Sequence, residues 1–162
     1  MIIKQGKLVL KSTSEEDEEI RRLSDESEDL ENMSERRMYP PGTPTEMIFR
    51  ITHEGKFAGE IRLTRIRWFN RKSELSIILK KEFQGKGIGT EAMKTLINFA
   101  FDKMNLYRLE AEVLEFNTVS IKLVEKLGFS KEGTLRKAKY ARGKYWDIFR
   151  YGLLREEWEK SK

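Results

Sequence analysis

Seven consecutive residues, Gln84-Gly85-Lys86-Gly87-Ile88-Gly89-Thr90, have the types and spacing to hold a phosphate group. Glycines at 85, 87 and 89 remove the Cβ atoms that would keep a ligand off the backbone, and they permit backbone angles that other residues avoid. Downstream, Ala92, Met93, Leu96, Ile97 and Ala100 have the spacing of a buried helix face. The N–H groups of the loop would then point outward with the positive end of the helix dipole behind them, which suits a diphosphate. Upstream, Ser73–Leu79 is an Ile- and Leu-rich strand-like run, so the glycines join a strand to a helix.

Several nucleotide loops share that layout, and the residues around the glycines separate them. A Walker A loop ends in Gly-Lys-Ser/Thr, whereas Lys86 is followed by Gly87. A Rossmann fingerprint needs a third glycine where Thr90 stands, and several βαβ units after it that do not follow, although Glu110 lies at a suitable distance for a ribose contact. The spacing Gln84-x-x-Gly87-x-Gly89 resembles the pyrophosphate loop of the GNAT superfamily of acyl-CoA-dependent N-acetyltransferases. A second block is similar to the signature of its ribosomal-protein and polyamine acetyltransferase branch: Asn117-Thr118-Val119-Ser120, then Glu125-Lys126-Leu127-Gly128-Phe129 and Glu132-Gly133. The resemblance covers roughly residues 46–158 and is weakest before residue 46.

The resemblance implies an enzyme that passes acetyl directly from acetyl-CoA to an amine, without a covalent enzyme intermediate. It places the diphosphate on residues 84 to 90, Gln84, Gly85, Lys86, Gly87, Ile88, Gly89 and Thr90. Pantetheine would run along Ile77, Ile78 and Leu79, on a strand that in this superfamily usually carries a bulge and splays from its neighbour. Asn117 would bond the cofactor, and Ser120, one helical turn on, would protonate the departing thiolate. Many members place a tyrosine for that step where this chain has Val124; Tyr140 and Tyr145 are the substitutes, with a spacing that suits hairpin packing equally well. A lysine-like amine, with pKa about 10.4, must lose a proton before it attacks. Glu74 is the candidate base, and Glu110 and Glu112, which alternation puts on one face of a later strand, are the others. The bland alternatives are a surface pairing of Glu74 with Lys72 or Arg71 and a backbone-bonded Ser120 hydroxyl.

These residues need a scaffold to meet on. Lys7–Ser12 reads as a first strand, followed by a helix capped by Ser14 with an acidic first turn, Glu15 to Glu19. Asp25–Met38 is a second, poorly patterned helix, and Tyr39–Pro44 a proline-broken loop. Period-two runs at 47–51 and 57–63 around Glu54-Gly55-Lys56 form a hairpin leading to Ser73–Leu79. A strand at 106–114, parallel to Ser73–Leu79, a helix from Asn117 and a closing hairpin around Arg142-Gly143 complete an α+β fold, a mixed, mostly antiparallel sheet flanked by helices. The resemblance sharpens this to a GNAT-like three-layer α/β/α arrangement. Phe129, Trp146 and Trp158 belong to the core or its edges, and Gly128 ends the second helix.

The chain has 162 residues, enough for one domain spanning 1–162 with a single core. It has no cysteine and one histidine, His53, which excludes a thiolate nucleophile and argues against a zinc cluster. No apolar run approaches membrane-spanning length and Met1–Lys4 lacks a signal-peptide core, so a soluble, cytoplasmic protein is expected. The net charge of +5 divides into −4 over residues 1–45 and +9 over the remainder, where the phosphates would bind. An anionic cofactor accounts for that basic part as well as nucleic acid does, and no groove-reading motif accompanies it. The expected partner is a small-molecule or peptide amine, with no nucleic acid and no membrane, and a homodimer is left open. Peptide α-amine and spermidine-type polyamine are the two acceptors considered; a non-catalytic CoA-binding module is the rival from another class.

Overall fold

The computed structural model describes residues 2–5, 8–11, 17–19, 22–23 and 40–162. They fall into two compact units, residues 1–41 and 42–162. In the first, β1 (Ile2–Gln5) pairs antiparallel with β2 (Leu8–Lys11), so the expected strand at 7–12 has a partner before it that the sequence pattern did not mark. Residues 18–19 and 22–23 are helical, Asp17 accepts a bond from the Glu19 N–H, and Glu18 pairs with Arg22 one turn on. The cap at Ser14 and the helix at Asp25–Met38 lie outside the described residues.

In the second unit β3 (Met47–His53), β4 (Lys56–Arg67), β5 (Lys72–Leu79), β6 (Arg108–Leu114), β7 (Ser130–Ala141) and β8 (Lys144–Leu154) form one sheet in the order β3-β4-β5-β6-β8-β7. Only β5 and β6 are parallel; the other neighbours are antiparallel. The helices are α1 (Ile88–Asp102), α2 (Thr118–Lys126) and α3 (Arg155–Lys160). Alternation puts Ile61, Leu63, Leu75, Leu109, Ala111, Val113, Tyr151 and Leu153 on one face, and all are buried. Met93, Leu96, Ile97 and Phe101 of α1, Val124 of α2 and Trp158 of α3 close that core. Trp158 also donates its indole N–H to Asn98, fastening α3 to α1. The α+β class and mixed, helix-flanked sheet therefore stand.

The opposite face of the sheet is polar. Arg108 on β6 reaches across β8 to form a two-pronged ion pair with Glu132 on β7. The strap passes over Gly152, where a Cβ atom would lie 2.3 Å from Glu132 Oε1. β8 is thus crossed by a side-chain bridge that only a missing side chain permits.

Of two details of β5, the first departs from the expected pattern and the second, the splay, agrees with it. The irregularity beside Ser73–Leu79 is an extra residue in β4, between Thr64 and Arg67, rather than a bulge in β5 itself. Arg65 absorbs it with φ 50°, a left-handed backbone turn. Secondly, the parallel β5–β6 ladder stops at Glu74 opposite Glu110, so the two strands part beyond that point.

Candidate active site

The C-terminal ends of β5 and β6 lie at one end of the sheet because the strands are parallel, and both α1 and α2 start there. The chain leaves β5, makes a short 3₁₀ turn at Lys81–Phe83 and enters α1 through the glycines. Gly87 is the N-cap, at φ 82°, and makes no side-chain cap. Gly85 has φ 72°, and nothing lies within 4 Å of a Cβ at either position. The first N–H groups of α1 therefore face open space with the helix dipole behind them. Gly89 departs from the expected role. It lies within α1, at an ordinary φ, and its Cβ would come 3.3 Å from Leu79 Cδ1, so its small size serves helix-to-strand packing. Ile88 is buried, leaving only its backbone for a ligand, whereas Lys86 is exposed. Gln84 turns inward: its amide donates to the Leu79 carbonyl at 2.9 Å and braces the loop.

Where β5 and β6 part, backbone groups of residues 75–79 that face β6 have no strand partner. At the vertex stand the three carboxylates. Glu110 accepts bonds from Lys72 at 3.1 Å and Arg108 at 2.9 Å. Burial would push its pKa up, but these cations outweigh burial and hold it below the usual carboxylate range. Glu112 faces Arg150 at 3.6 Å, and Arg150 also reaches Glu110 at 3.6 Å. Glu74 differs. Its side chain is 16% exposed, and Arg65 Nη1 comes to 3.2 Å of Oε2 without the alignment of a hydrogen bond, leaving that buried oxygen without a donor. Its pKa is raised, first by burial and then by the negative charge of Glu112. The suggested pairings with Lys72 or Arg71 do not form, since Lys72 serves Glu110 and Arg71 bonds Asn105. Of the three, Glu74 is shifted toward the proton affinity of a base.

On the other side of the sheet, α2 begins at Asn117, whose side-chain oxygen accepts the Ser120 N–H at 3.1 Å. Ser120 falls in line with Val124 and Leu127 at helical spacing, both buried in the core. Leu123 of α2 approaches the first turn of α1, since a Cβ on Gly89 would lie 4.0 Å from Leu123 Cδ2. The glycine loop and the start of α2 thus both lie at the end of the sheet where β5 and β6 part, and Glu74 stands on the face of β5 opposite the core. Val124 is 4% exposed, so this position carries packing. Tyr140 and Tyr145 stack edge-on, 5.1 Å apart, at the tip of the β7–β8 hairpin. Arg65 and Arg150 were not anticipated: the first depends on the β4 bulge and the second on β6–β8 register. Tyr151, also unanticipated, donates to Glu125 at the opposite end of α2.

Sequence and fold comparisons agree with this geometry. The family described as the acetyltransferase (GNAT) domain matches residues 9–130, and the chain belongs to that family. It is 37% identical over 112 residues to YdaF of Bacillus subtilis (strain 168), which is provisionally named a ribosomal N-acetyltransferase. It is 33% identical over 114 residues to a spermidine N(1)-acetyltransferase of Escherichia coli (strain K12). These matches cover 69% and 70% of this chain, and 61% of the length of each relative. A mutant form of the spermidine/spermine N-acetyltransferase SpeG from Vibrio cholerae superposes with a TM-score of 0.71 at 25% identity, over 75% of this chain and 74% of that one.

Members of this family take acetyl from acetyl-CoA, and the residues here fit such a group. The open N-terminus of α1, with space beside Gly85 and Gly87, can hold its diphosphate, and the unpaired edge of β5 can hold its amides. Among the described residues no cluster of three metal-ligating side chains occurs, and no helix is long and apolar enough to cross a membrane.

Proposed function

We propose that the chain is an acetyl-CoA-dependent N-acetyltransferase whose acceptor is the α-amine of a peptide. The observation that carries the reading is the coincidence, at one strand opening, of an uncapped helix start and a buried carboxylate, Glu74, with a raised pKa. Bound acetyl-CoA supplies an acyl carbon with sulfur as leaving group. Glu74 accepts the proton that the amine nitrogen loses as it forms the amide bond, and Ser120 gives its hydroxyl proton to the sulfur as the C–S bond breaks. Asn117 fixes the first turn of α2 so that Ser120 stays in place.

An α-amine, with pKa about 7.7–8.0, is about one-third neutral at pH 7.5, whereas a lysine-like amine is neutral in about one molecule in a thousand. A single carboxylate as base suits the first acceptor better. Polyamine remains the second reading, favoured by the neighbouring carboxylates Glu74 and Glu112 and by the likeness to spermidine acetyltransferases.

Calorimetric titration with acetyl-CoA, then thiol release with a free-α-amine peptide carrying basic residues and with spermidine, tests the proposal. The peptide should react faster, and Glu74→Gln should cost less on the peptide than on spermidine between pH 6.5 and 9. Faster turnover of spermidine, or equal loss on both, would overturn the acceptor assignment; acetyl-CoA binding without release to any amine would mark a binding module.

A further inference from the structure

The β7–β8 hairpin runs past the sheet. β6 ends at Leu114, opposite Ile148; beyond it Glu115 still bonds Asp147 and Phe116 packs edge-on against Trp146, so residues 144–145 of β8 have only β7 beside them. Because β8 is antiparallel to β6, this two-stranded ribbon projects at the end where β5 and β6 part. Residues 130–147 hold six Lys/Arg against two carboxylates, Glu132, which Arg108 already engages, and Asp147, which accepts the Lys137 backbone N–H. None of the six side chains meets a carboxylate among the described residues; Lys131 lies over the Phe149 ring and Arg142 over the Phe116 ring, and Arg136, Lys137, Lys139 and Lys144 are the others. On the strands around the β5–β6 opening the balance differs: Arg62, Arg65, Lys72, Arg108 and Arg150 are each paired with a carboxylate.

Aromatic rings alternate with these charges. Tyr140 and Tyr145, 62% and 60% exposed, form a pair on one face of the ribbon. On the other, Lys144 lies 3.9 Å from the Trp146 ring, with Lys139 opposite Trp146 in register. The two strands are about 4.8 Å apart, so a chain passing the tip reaches both faces. Lysines and bulges on an edge strand also keep other strands from adding to it, and β7 has two irregularities. Edge protection, however, accounts neither for two exposed tyrosines nor for unpaired cations on the turn and on β8.

We propose that this ribbon binds a single-stranded nucleic acid, the unpaired cations taking phosphates and Tyr140 and Tyr145 stacking on bases. The combination of backbone-tracking charge with sequence-tolerant ring faces is what such recognition uses. An acidic peptide would use the charge and leave the rings idle. The sequence alone pointed away from nucleic acid, since it assigned the basic excess to the cofactor; the folded chain concentrates that excess on a projecting ribbon.

Fluorescence anisotropy of the full chain with labelled U20 RNA and dT20 between 50 and 200 mM salt tests this, with poly-glutamate of equal length as competitor. The logarithm of the binding constant should fall with log salt at a slope between about −2 and −3.5, at roughly −0.7 per phosphate contact. The combined Lys139→Glu, Arg142→Glu and Lys144→Glu variant should bind at least tenfold more weakly while keeping its thermal midpoint and CoA affinity. Tyr145→Ala alone should weaken binding at least fivefold. No binding at 50 mM salt would overturn the assignment. So would competition by poly-glutamate as effective as by unlabelled U20, or indifference to Tyr145→Ala, either of which would mark a surface for acidic protein. A loss of CoA affinity in the triple variant would instead give these cations to the cofactor.

Discussion

Two helices begin at the same end of the sheet and meet the same difficulty in opposite ways. The first N–H groups of any α-helix lack partners within the helix. In α2 the side chain of Asn117 supplies one, at 3.1 Å, to Ser120. In α1 the cap position is Gly87, which has no side chain to offer, and space lies open beside it. The closed start fixes a side chain; the open start leaves donors for an anion that the chain itself does not contain. Local stability and binding capacity are thus divided between neighbouring helix ends.

The largest expected effect lies at the closed start. Ser120→Ala should lower turnover by about 10²-fold, the lower end of general-acid catalysis, with little change in acetyl-CoA affinity. Single-turnover kinetics separates the two, and a loss confined to affinity would leave Ser120 a cofactor contact. At the open start, Gly87→Glu puts a side chain at φ 82° and a negative charge among the donors. The CoA dissociation constant should rise at least tenfold, or roughly 1.4 kcal/mol, by calorimetry on a folded variant; an unchanged constant would remove the loop from the cofactor site. Asn117→Ala removes the cap of α2 and should cost about 1 kcal/mol in urea unfolding, a deficit that CoA does not restore selectively. Equal stability would erase the distinction between the two starts. Smallest is Gly89→Ala, where a gain in helix propensity of up to about 1 kcal/mol opposes the 3.3 Å approach to Leu79. The melting temperature should move by only a few degrees and CoA affinity by less than twofold; a tenfold loss of affinity would return Gly89 to the binding loop.

The carboxylates add a pH dependence of known sign. Glu74 has a raised pKa, so the folded state holds its proton more tightly than the unfolded chain does. Its contribution favours folding at low pH and is lost as pH rises from the unfolded value, about 4.3, through the folded one. Glu110 is lowered and acts oppositely, its contribution being lost as pH falls below that same value.

Much of this arrangement was legible in the sequence. The periodicity of Ser73–Leu79 and of Ala92 to Ala100 gave the strand and helix, and the glycines between them marked the junction, because Gly85 and Gly87 do need positive φ. Gly128, also at positive φ, ends α2 with Phe129 N–H bonded to the Val124 carbonyl, as a helix-stop glycine should. Periodicity states which face a residue shares, but not which strand lies beside it or in what register. Arg150 comes to Glu110 and Glu112 only through the β6–β8 pairing, so its place could not be read from either strand. Arg65 reaches Glu74 only because β4 holds an extra residue, and Arg65 belongs to no turn motif that would announce one. Gly89 looked like its neighbours because its constraint comes from Leu79, ten residues earlier, rather than from its own backbone.

The Arg108–Glu132 strap ties distant positions into one heritable unit. Were Gly152 to acquire a side chain, the ends of both strap residues would have to swing away, leaving Glu132 without its partner and Arg108 with Glu110 alone. Conversely, once either strap residue is lost, position 152 is released from being glycine. Lineages descending from this chain should therefore keep or abandon glycine at 152 and glutamate at 132 together, while arginine at 108 can outlast both through Glu110.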